Sequence, residues 1–346
     1  MMNTSINKVL SYQMTFTKVL GILYPLLRKV PVILFVHDLL KRKPMKNPHE
    51  VSLIEVGPRD GLQNERAFVD TSLKIQFINQ LSKSGLRHIE ATSFVSPKAI
   101  PQLADNQQVM QNIIQSENVI YSALVPNEKG MQQAIESNLK HIAIFTAASE
   151  SFNQRNINCS IIESIERFRP VLQLAKDNQI TVRAYISCVL GCPYEGTIQP
   201  QQVLSVTEQL LNLGVAEISF GDTIGVGTAR QAQALISAIQ SVMSDDIIAM
   251  HYHDTYGQAV ANILSSLDMG IHRFDSSTAG LGGCPYAQGA TGNVATEDVL
   301  YLMHGLGIDT GIDIYDVVKA GDMMCKALGK KNQSKVANAL LANPPC

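Results

Sequence analysis

The stretch "SGLRHIEA" at residues 84–91 decides the fold, because it closes one element and opens another within eight residues. Gly85 suits the left-handed position just past a helix C-terminus, and a β-rich apolar run starts at His88. The construction returns in "SNLKHIAI" (137–144), "LGVAEISF" (213–220) and "MGIHRFDS" (269–276), each with Gly or Asn where the helix should stop. A helix stop, a short link and an apolar strand make up the return half of a βα unit.

Working outward from these joints, eight strand candidates appear. They are "VSLIEVG" (51–57), "HIEATSF" (88–94), "VIYSALV" (119–125), "HIAIFTA" (141–147), "ITVRAYISCV" (180–189), "EISFGDT" (217–223), "IIAMHYHD" (247–254) and "RFDSSTAG" (273–280). Longer segments with helical spacing lie between them, such as "TSLKIQFINQLSKSG" (71–85) and "QQVLSVTEQLLNLG" (201–214). Strands alternating with helices predict βαβ units and a parallel sheet. Eight units without a domain break predict an α/β protein of the (β/α)8 TIM-barrel type over residues 49–330. No strand is followed by a GxGxxG fingerprint, which argues against a doubly wound dinucleotide fold. His88, His141 and His272 fall at strand starts, the barrel bottom, and read as structural. The segment "DTGIDIYDVVKAGDMMCKALGK" from Asp309 predicts one or two appended C-terminal helices, with 331–346 as a tail.

Bulk properties narrow the function class. A hydrophobic fraction of 45% with 17% charged residues fits a packed enzyme rather than a disordered chain. A net charge of −2 leaves no basic footprint for nucleic acid. The six cysteines lack the spacing of a disulfide framework, which fits a reducing, cytoplasmic setting. Cys188 and Cys192 have no second pair to complete a zinc site and read as structural thiols. Residues 1–48 form a non-core N-terminal extension, basic and free of acids as far as His37. Three readings stay open for it: a start-site artefact upstream of Met45, a surface amphipathic helix, or a leader that would make the protein mitochondrial. Arg28 and Lys29 interrupt its apolar run from Val19, so no stable membrane insertion is expected.

Reactive side chains gather where strands end, the face on which TIM barrels build their sites. The first strand leads into Arg59, Asp60, Gln63 and Asn64; the second holds Glu90, the sixth Asp222, and the seventh His251 and His253. Positions i and i+2 of a strand share one side, so the two imidazoles converge at the mouth. Asp60 and Asn293 can add oxygen ligands there. Two nitrogens and two oxygens with room for water suit an octahedral divalent ion, Mg²⁺ or Mn²⁺, with Zn or Co able to substitute. Arg59 is either a salt-bridged turn residue or a fixed cation beside developing negative charge. Glu90 and Asp222, in strands buried on both faces, need hydrogen-bond partners such as Arg59, a bound water or a histidine. Cys284 sits among Gly280, Gly282, Gly283, Gly289 and Gly292, in a loop that is either a turn-rich connector or a lid.

The motifs "EVGPRDGLQNE" (55–65), "SPKAIPQLAD" (96–105), "SFGDTIGVGT" (219–228), "HYHDTYGQA" (251–259) and "GLGGCPYAQGATGNVATED" (280–298) occur in this order. Together they resemble the 3-hydroxy-3-methylglutaryl-CoA lyase family, from about residue 51 to 329. The resemblance implies a metal-dependent barrel enzyme, a homodimer, that cleaves hydroxymethylglutaryl-CoA to acetoacetate and acetyl-CoA. It implies that Asp60, His251, His253 and Asn293 hold the metal and that Arg59 steadies the enolate of the departing acetyl-CoA. It also implies that Cys284 is the catalytic cysteine of the signature loop and that Glu90, Asp222 and Gln63 are further active-site positions. Cys284 would make one proton transfer, with His251 or Asp60 making the other, and the loop would fold over substrate. The alternatives are a lyase for a related 3-hydroxyacyl-CoA and a Claisen-type synthase of the same superfamily, which lacks the cysteine loop.

Overall fold

The computed structural model describes residues 50–283 and 292–343. The chain divides into two units, Met1–Lys46 and Asn47–Cys346, and the description concerns the second. Eight parallel strands close into a barrel in chain order. They are β1 (Ser52–Glu55), β2 (His88–Ser93), β3 (Ile120–Leu124), β4 (His141–Ala147), β5 (Thr181–Ser187), β6 (Glu217–Asp222), β7 (Ile248–Tyr252) and β8 (Arg273–Ser276). Closure comes from β1 against β8, with Ser52 opposite Arg273 and Glu55 opposite Ser276. Each strand lies inside the segment its apolar run predicts. Parallel strands covered on both faces need such continuous apolar runs.

Helices fill the returns: α1 (Thr71–Lys83), α2 (Asn106–Asn112), α3 (Glu128–Glu136), α4 (Glu150–Ile157), α5 (Ile161–Asp177), α6 (Pro200–Leu213), α7 (Ala229–Ile239), α8 (Ala259–Asp268) and α9 (Thr296–Gly305). The expected left-handed stops are present, at Gly85 (φ 95°), Asn138 (57°), Gly214 (90°) and Gly270 (90°). At Gly85 the requirement is also steric, since a Cβ would sit 2.1 Å from the Gly311 carbonyl oxygen. Two further helices, α10 (Ile314–Leu328) and α11 (Lys335–Ala342), follow the barrel. The second lies within the segment 331–346. It is pinned by Ser334, whose hydroxyl donates to Asp298 at 2.7 Å, and it buries Ala337 fully.

Apolar side chains between barrel and helices form one continuous core, including Phe77, Ile89, Phe220 and Phe274. Each fully buried side chain of this size contributes roughly 1.5–3 kcal/mol. The barrel interior is different. A small apolar cluster of Leu124, Ala143 and Tyr185, with Phe145 against it, stands apart from that core. Polar bonds cross the lumen beside it. Arg183 on β5 reaches Asp275 on β8, and Tyr185 on β5 reaches Glu90 on β2. These strands are not neighbours, so the bonds span the interior.

At the barrel bottom His88 bonds Ser122 at 3.0 Å, with the His141 ring 6.4 Å away. Burial first, and then the Arg183 charge, push His88 down to about 3, so it is neutral, as a structural residue there should be. Cys188 and Cys192 are both buried, and Cys192 Sγ lies 3.0 Å from the Ser149 hydroxyl. No helix of the described residues is long and apolar enough to cross a membrane. The expectations for residues 1–48 lie outside the described residues.

Candidate active site

The chain leaves β1 through a tight π-type turn, Gly57–Gly61, in which the amides of Arg59, Asp60 and Gly61 all return to the Val56 carbonyl. Such turns concentrate at functional sites. This one presents Arg59 and Asp60 side by side. The Arg59 guanidinium donates to Glu90 through Nε and to Asp60 through Nη1 (2.5 Å), and it stacks 5.3 Å from the Tyr185 ring centre. Burial works against its charge, but Glu90 and Asp60 outweigh that and raise its pKa further. Glu90 reaches Arg59 from a register shift in β2, between Glu90 and Thr92. Bulges of this kind re-aim a side chain.

Asp60 receives three donors: Arg59, Gln63 Nε2 at 2.8 Å, and Asn293 Nδ2 at 2.8 Å on its other oxygen. Burial pushes its carboxyl up, but Arg59 and the two histidines hold it below the usual carboxylate range. It is therefore a carboxylate at neutral pH.

His251 and His253 rise from the end of β7 with ring centres 5.1 Å apart. The ligating atoms of Asp60, His251 and His253 lie within 4.8 Å of one another. Asn293 joins them because its backbone bridges His253, flanked by Asp254 N to Gly292 O (2.8 Å) and Val294 N to Tyr252 O (3.1 Å). Burial and then the His251 charge depress His253 to about 3, leaving a neutral imidazole with a lone pair to offer. Two buried atoms at this spot, His253 Nδ1 and Asn293 Oδ1, have no hydrogen-bond partner among the described residues. Buried polar atoms ordinarily find one. An acceptor-rich pocket of two imidazoles, a carboxylate and an orphaned amide oxygen fits a hard divalent cation.

A cavity of about 750 Å³ opens from this cluster. Arg59, Asp60, Gln63, His251 and His253 line its polar end, and Leu124, Phe145, Ile157 and Phe168 line an apolar wall. Glu90 stands behind Arg59, buried to 1% exposure, where it fixes the guanidinium. The expected side-chain partner is therefore present for Glu90. Asp222 instead accepts the backbone amides of Val226 (3.2 Å) and Gly227 (2.9 Å), so it shapes the loop after β6. Burial raises Asp222 to about 6 against those bonds. Cys284 and the glycine-dense loop around it lie outside the described residues. The loop's near base is described: Gly282 takes φ 113°, and the Gly283 carbonyl accepts from Asn64 at 3.4 Å.

Sequence reasoning missed Tyr185, Arg183, Asp275, Glu55 and Glu297. Asp275 accepts from Arg183 (2.6 Å) and Ser219 (2.7 Å), and its Oδ2 lies 3.2 Å from His251 Nδ1. Burial would raise its carboxyl, but Arg183 holds it far below the usual range. Glu55, at the end of β1, accepts from Gly57 N, Thr278 N, Thr278 Oγ1 and Thr296 Oγ1 at 2.7–2.9 Å. It thereby ties the Arg59–Asp60 turn to the segment leading to Asn293. A signal for two of these was available. The charges in "VRAY" and "RFDS" interrupt otherwise apolar barrel strands, where a buried charge needs an opposite partner.

The HMGL-like family model matches residues 50–324. A Pseudomonas aeruginosa protein named 3-hydroxy-3-isohexenylglutaryl-CoA/hydroxy-methylglutaryl-CoA lyase is 56% identical over 298 residues, covering 86% of this chain and 99% of that one. The rat cytoplasmic 3-hydroxy-3-methylglutaryl-CoA lyase is 53% identical, covering 84% of this chain and 85% of its own. The crystal structure of the P. aeruginosa hydroxymethylglutaryl-CoA lyase superposes with a TM-score of 0.85 over 86% of this chain and 99% of that one.

Proposed function

The chain belongs to the HMGL-like family, and on that footing we propose that its barrel mouth cleaves 3-hydroxy-3-methylglutaryl-CoA to acetoacetate and acetyl-CoA. The protein is a carbon–carbon lyase. The observation that carries the reading is the placement of the Arg59 guanidinium, 2.5 Å from Asp60, at the edge of the Asp60–His251–His253 cluster. One cation-ready pocket and one fixed positive charge stand side by side, as this bond cleavage requires.

Breaking the C2–C3 bond of the substrate needs the C3 hydroxyl to lose its proton while the bonding electron pair moves into the thioester as an enolate. A divalent ion, when bound, supplies polarisation of the C3 hydroxyl and lowers its pKa. Asp60, His251, His253 and Asn293 are the residues that would hold it, and Mg²⁺ or Mn²⁺ suits their oxygen and imidazole donors. Arg59 takes the negative charge that develops on the thioester oxygen. Glu90 and Tyr185 hold the guanidinium in place beforehand, so little reorganisation is needed at the moment of reaction. Gln63 steadies Asp60, and Asp222 fixes the loop after β6. Cys284 makes one of the two proton transfers, taking the hydroxyl proton or returning one to the enolate carbon, and His251 or Asp60 makes the other. The catalytic unit is assigned to residues 49–330, with residues 1–48 outside it. A homodimer in the cytoplasm is the working assignment, and a mitochondrial one follows if residues 1–48 act as a leader.

A longer branch at C3 is the second reading. It draws on the apolar wall of Leu124, Phe145, Ile157 and Phe168 and on the isohexenylglutaryl-CoA named for the P. aeruginosa relative.

The test is acetoacetate release from hydroxymethylglutaryl-CoA by the full chain, stripped of metal and then titrated with Mg²⁺ or Mn²⁺. Cleavage should appear only with metal and should fall at least ~10²-fold in Cys284→Ser, the scale of a lost acid–base group. No cleavage at full metal loading rejects the assignment. A panel with longer C3 branches separates the two acyl readings.

A further inference from the structure

His251 and His253 project from the same side of one strand, yet their Nδ1 atoms meet different surroundings. His251 Nδ1 lies 3.2 Å from Asp275 Oδ2, whereas His253 Nδ1 is buried with no hydrogen-bond partner among the described residues. From this contrast we propose that Asp275 is a positioning residue that fixes His251 as its Nδ1–H tautomer and so reserves Nε2 for the cation pocket. The inference rests on the metal-site reading above.

Asp275 is 2% exposed, and its two oxygens are fully engaged. Oδ1 accepts from Arg183 Nη2 at 2.6 Å, and Oδ2 accepts from the Ser219 hydroxyl at 2.7 Å. Arg183 is itself shared with Glu217, whose carboxylate stands 2.6 Å from Nε. A carboxylate facing a guanidinium has lone pairs and no proton to give. A bare His251 Nδ1 would set two lone pairs against each other in a buried site, an arrangement that costs both groups a hydrogen bond. Placing the proton on Nδ1 turns the contact into a hydrogen bond. The lone pair then resides on Nε2, the ring nitrogen that Asp275 does not touch.

The four residues come from consecutive strands: Arg183 on β5, Ser219 on β6, His251 on β7 and Asp275 on β8. His251 and Asp275 are also direct backbone partners in the β7–β8 ladder. The ring is therefore oriented by rigid barrel strands before any ligand arrives. A carboxylate behind a ligating imidazole also raises its basicity, and losing one typically costs 10–100-fold in metal affinity. The bland alternative, that Asp275 only neutralises Arg183, makes no claim on the His251 tautomer, and this separates the two.

The experiment uses the metal-free full chain labelled with ¹⁵N-histidine, at mildly alkaline pH. The His251 ring is identified by the resonance lost in His251→Gln. The wild-type ring should show the Nδ1–H tautomer. In Asp275→Asn the carboxamide can turn an N–H toward Nδ1 and reverse the tautomer, as asparagine does behind a triad histidine. Mn²⁺ binding followed by calorimetry should then weaken about 10–100-fold. A wild-type ring in the Nε2–H form overturns the proposal, as does an Asp275→Asn protein that keeps wild-type Mn²⁺ affinity. If Asp275→Asn does not fold, the wild-type tautomer decides alone. Neither readout uses thioester cleavage, so an inactive enzyme would defeat the lyase reading without touching this one.

Discussion

Glu297 turns both carboxylate oxygens toward one backbone N–H, that of Ala279, at 3.0 and 2.9 Å. Ala279 needs the clamp, since it holds φ 61° without being glycine. The clamp fixes the chain just after β8, two residues before the Leu281 carbonyl that accepts from Asn293. Glu297 is fully buried, and burial raises its pKa to about 8 from 4.5, against the help of the Ala279 amide.

That shift gives a pH signature. Between about 4.5 and 8 the folded chain keeps the Glu297 proton while the unfolded chain has lost it. Stability from this group is thus fully present below 4.5 and is lost as pH rises to about 8, with a slope of about 1.4 kcal/mol per pH unit. Glu297→Gln has no proton to lose. Thermal unfolding across this range should show the variant gaining on the wild type as pH rises, and parallel curves would contradict the buried neutral carboxyl.

Arg59→Lys keeps the positive charge but loses the fork that serves Glu90 and Asp60 together. We expect kcat for hydroxymethylglutaryl-CoA to fall about 10²–10³-fold, the range for losing one preorganised donor, with Mn²⁺ affinity changing far less. Near-normal turnover would show that charge alone suffices.

Gly282→Ala tests the base of the loop. Its φ of 113° disfavours any side chain, and a Cβ would lie 2.9 Å from Asn293 Nδ2. The displaced amide should weaken Mn²⁺ binding about tenfold or more, as loss of a supporting contact does. Calorimetry on the purified variant reads this directly, and an unchanged affinity would remove Asn293 from the proposed ligand set.

Phe145→Ala should shift acyl preference. Phe145 packs against the Leu124–Ala143–Tyr185 cluster, and its ring lies 6.5 Å from that of Phe168. Opening the wall should raise kcat/KM for a longer C3 branch relative to hydroxymethylglutaryl-CoA by about 10-fold or more, the scale of a few methylenes in an apolar pocket. An unaltered ratio would place the branch elsewhere.

The legible parts of the site share a feature. His251 and His253 announce themselves because they are two residues apart on one strand, and Arg59 and Asp60 because they are adjacent. Asp275 and Arg183 are 92 residues apart, and each alone looks like an ordinary charge in a short strand. Asp222 was legible as a buried carboxylate in need of partners, but its partners are backbone amides, which every residue carries and no sequence marks. Glu55 and Thr296 are 241 positions apart and meet only because β1 and β8 close the barrel.

By itself the sequence determined the eight βα units, their order and the face on which chemistry would collect. Strand and helix periodicity and the glycine or asparagine stops act over a few residues, so they are written locally. Only the tertiary structure decided which nitrogen of His251 is occupied, which carboxylate holds Arg59 and which amide oxygen finds no hydrogen-bond partner among the described residues. Those outcomes depend on side-chain atoms from distant strands arriving within about 3 Å of one another, and barrel closure alone sets such distances.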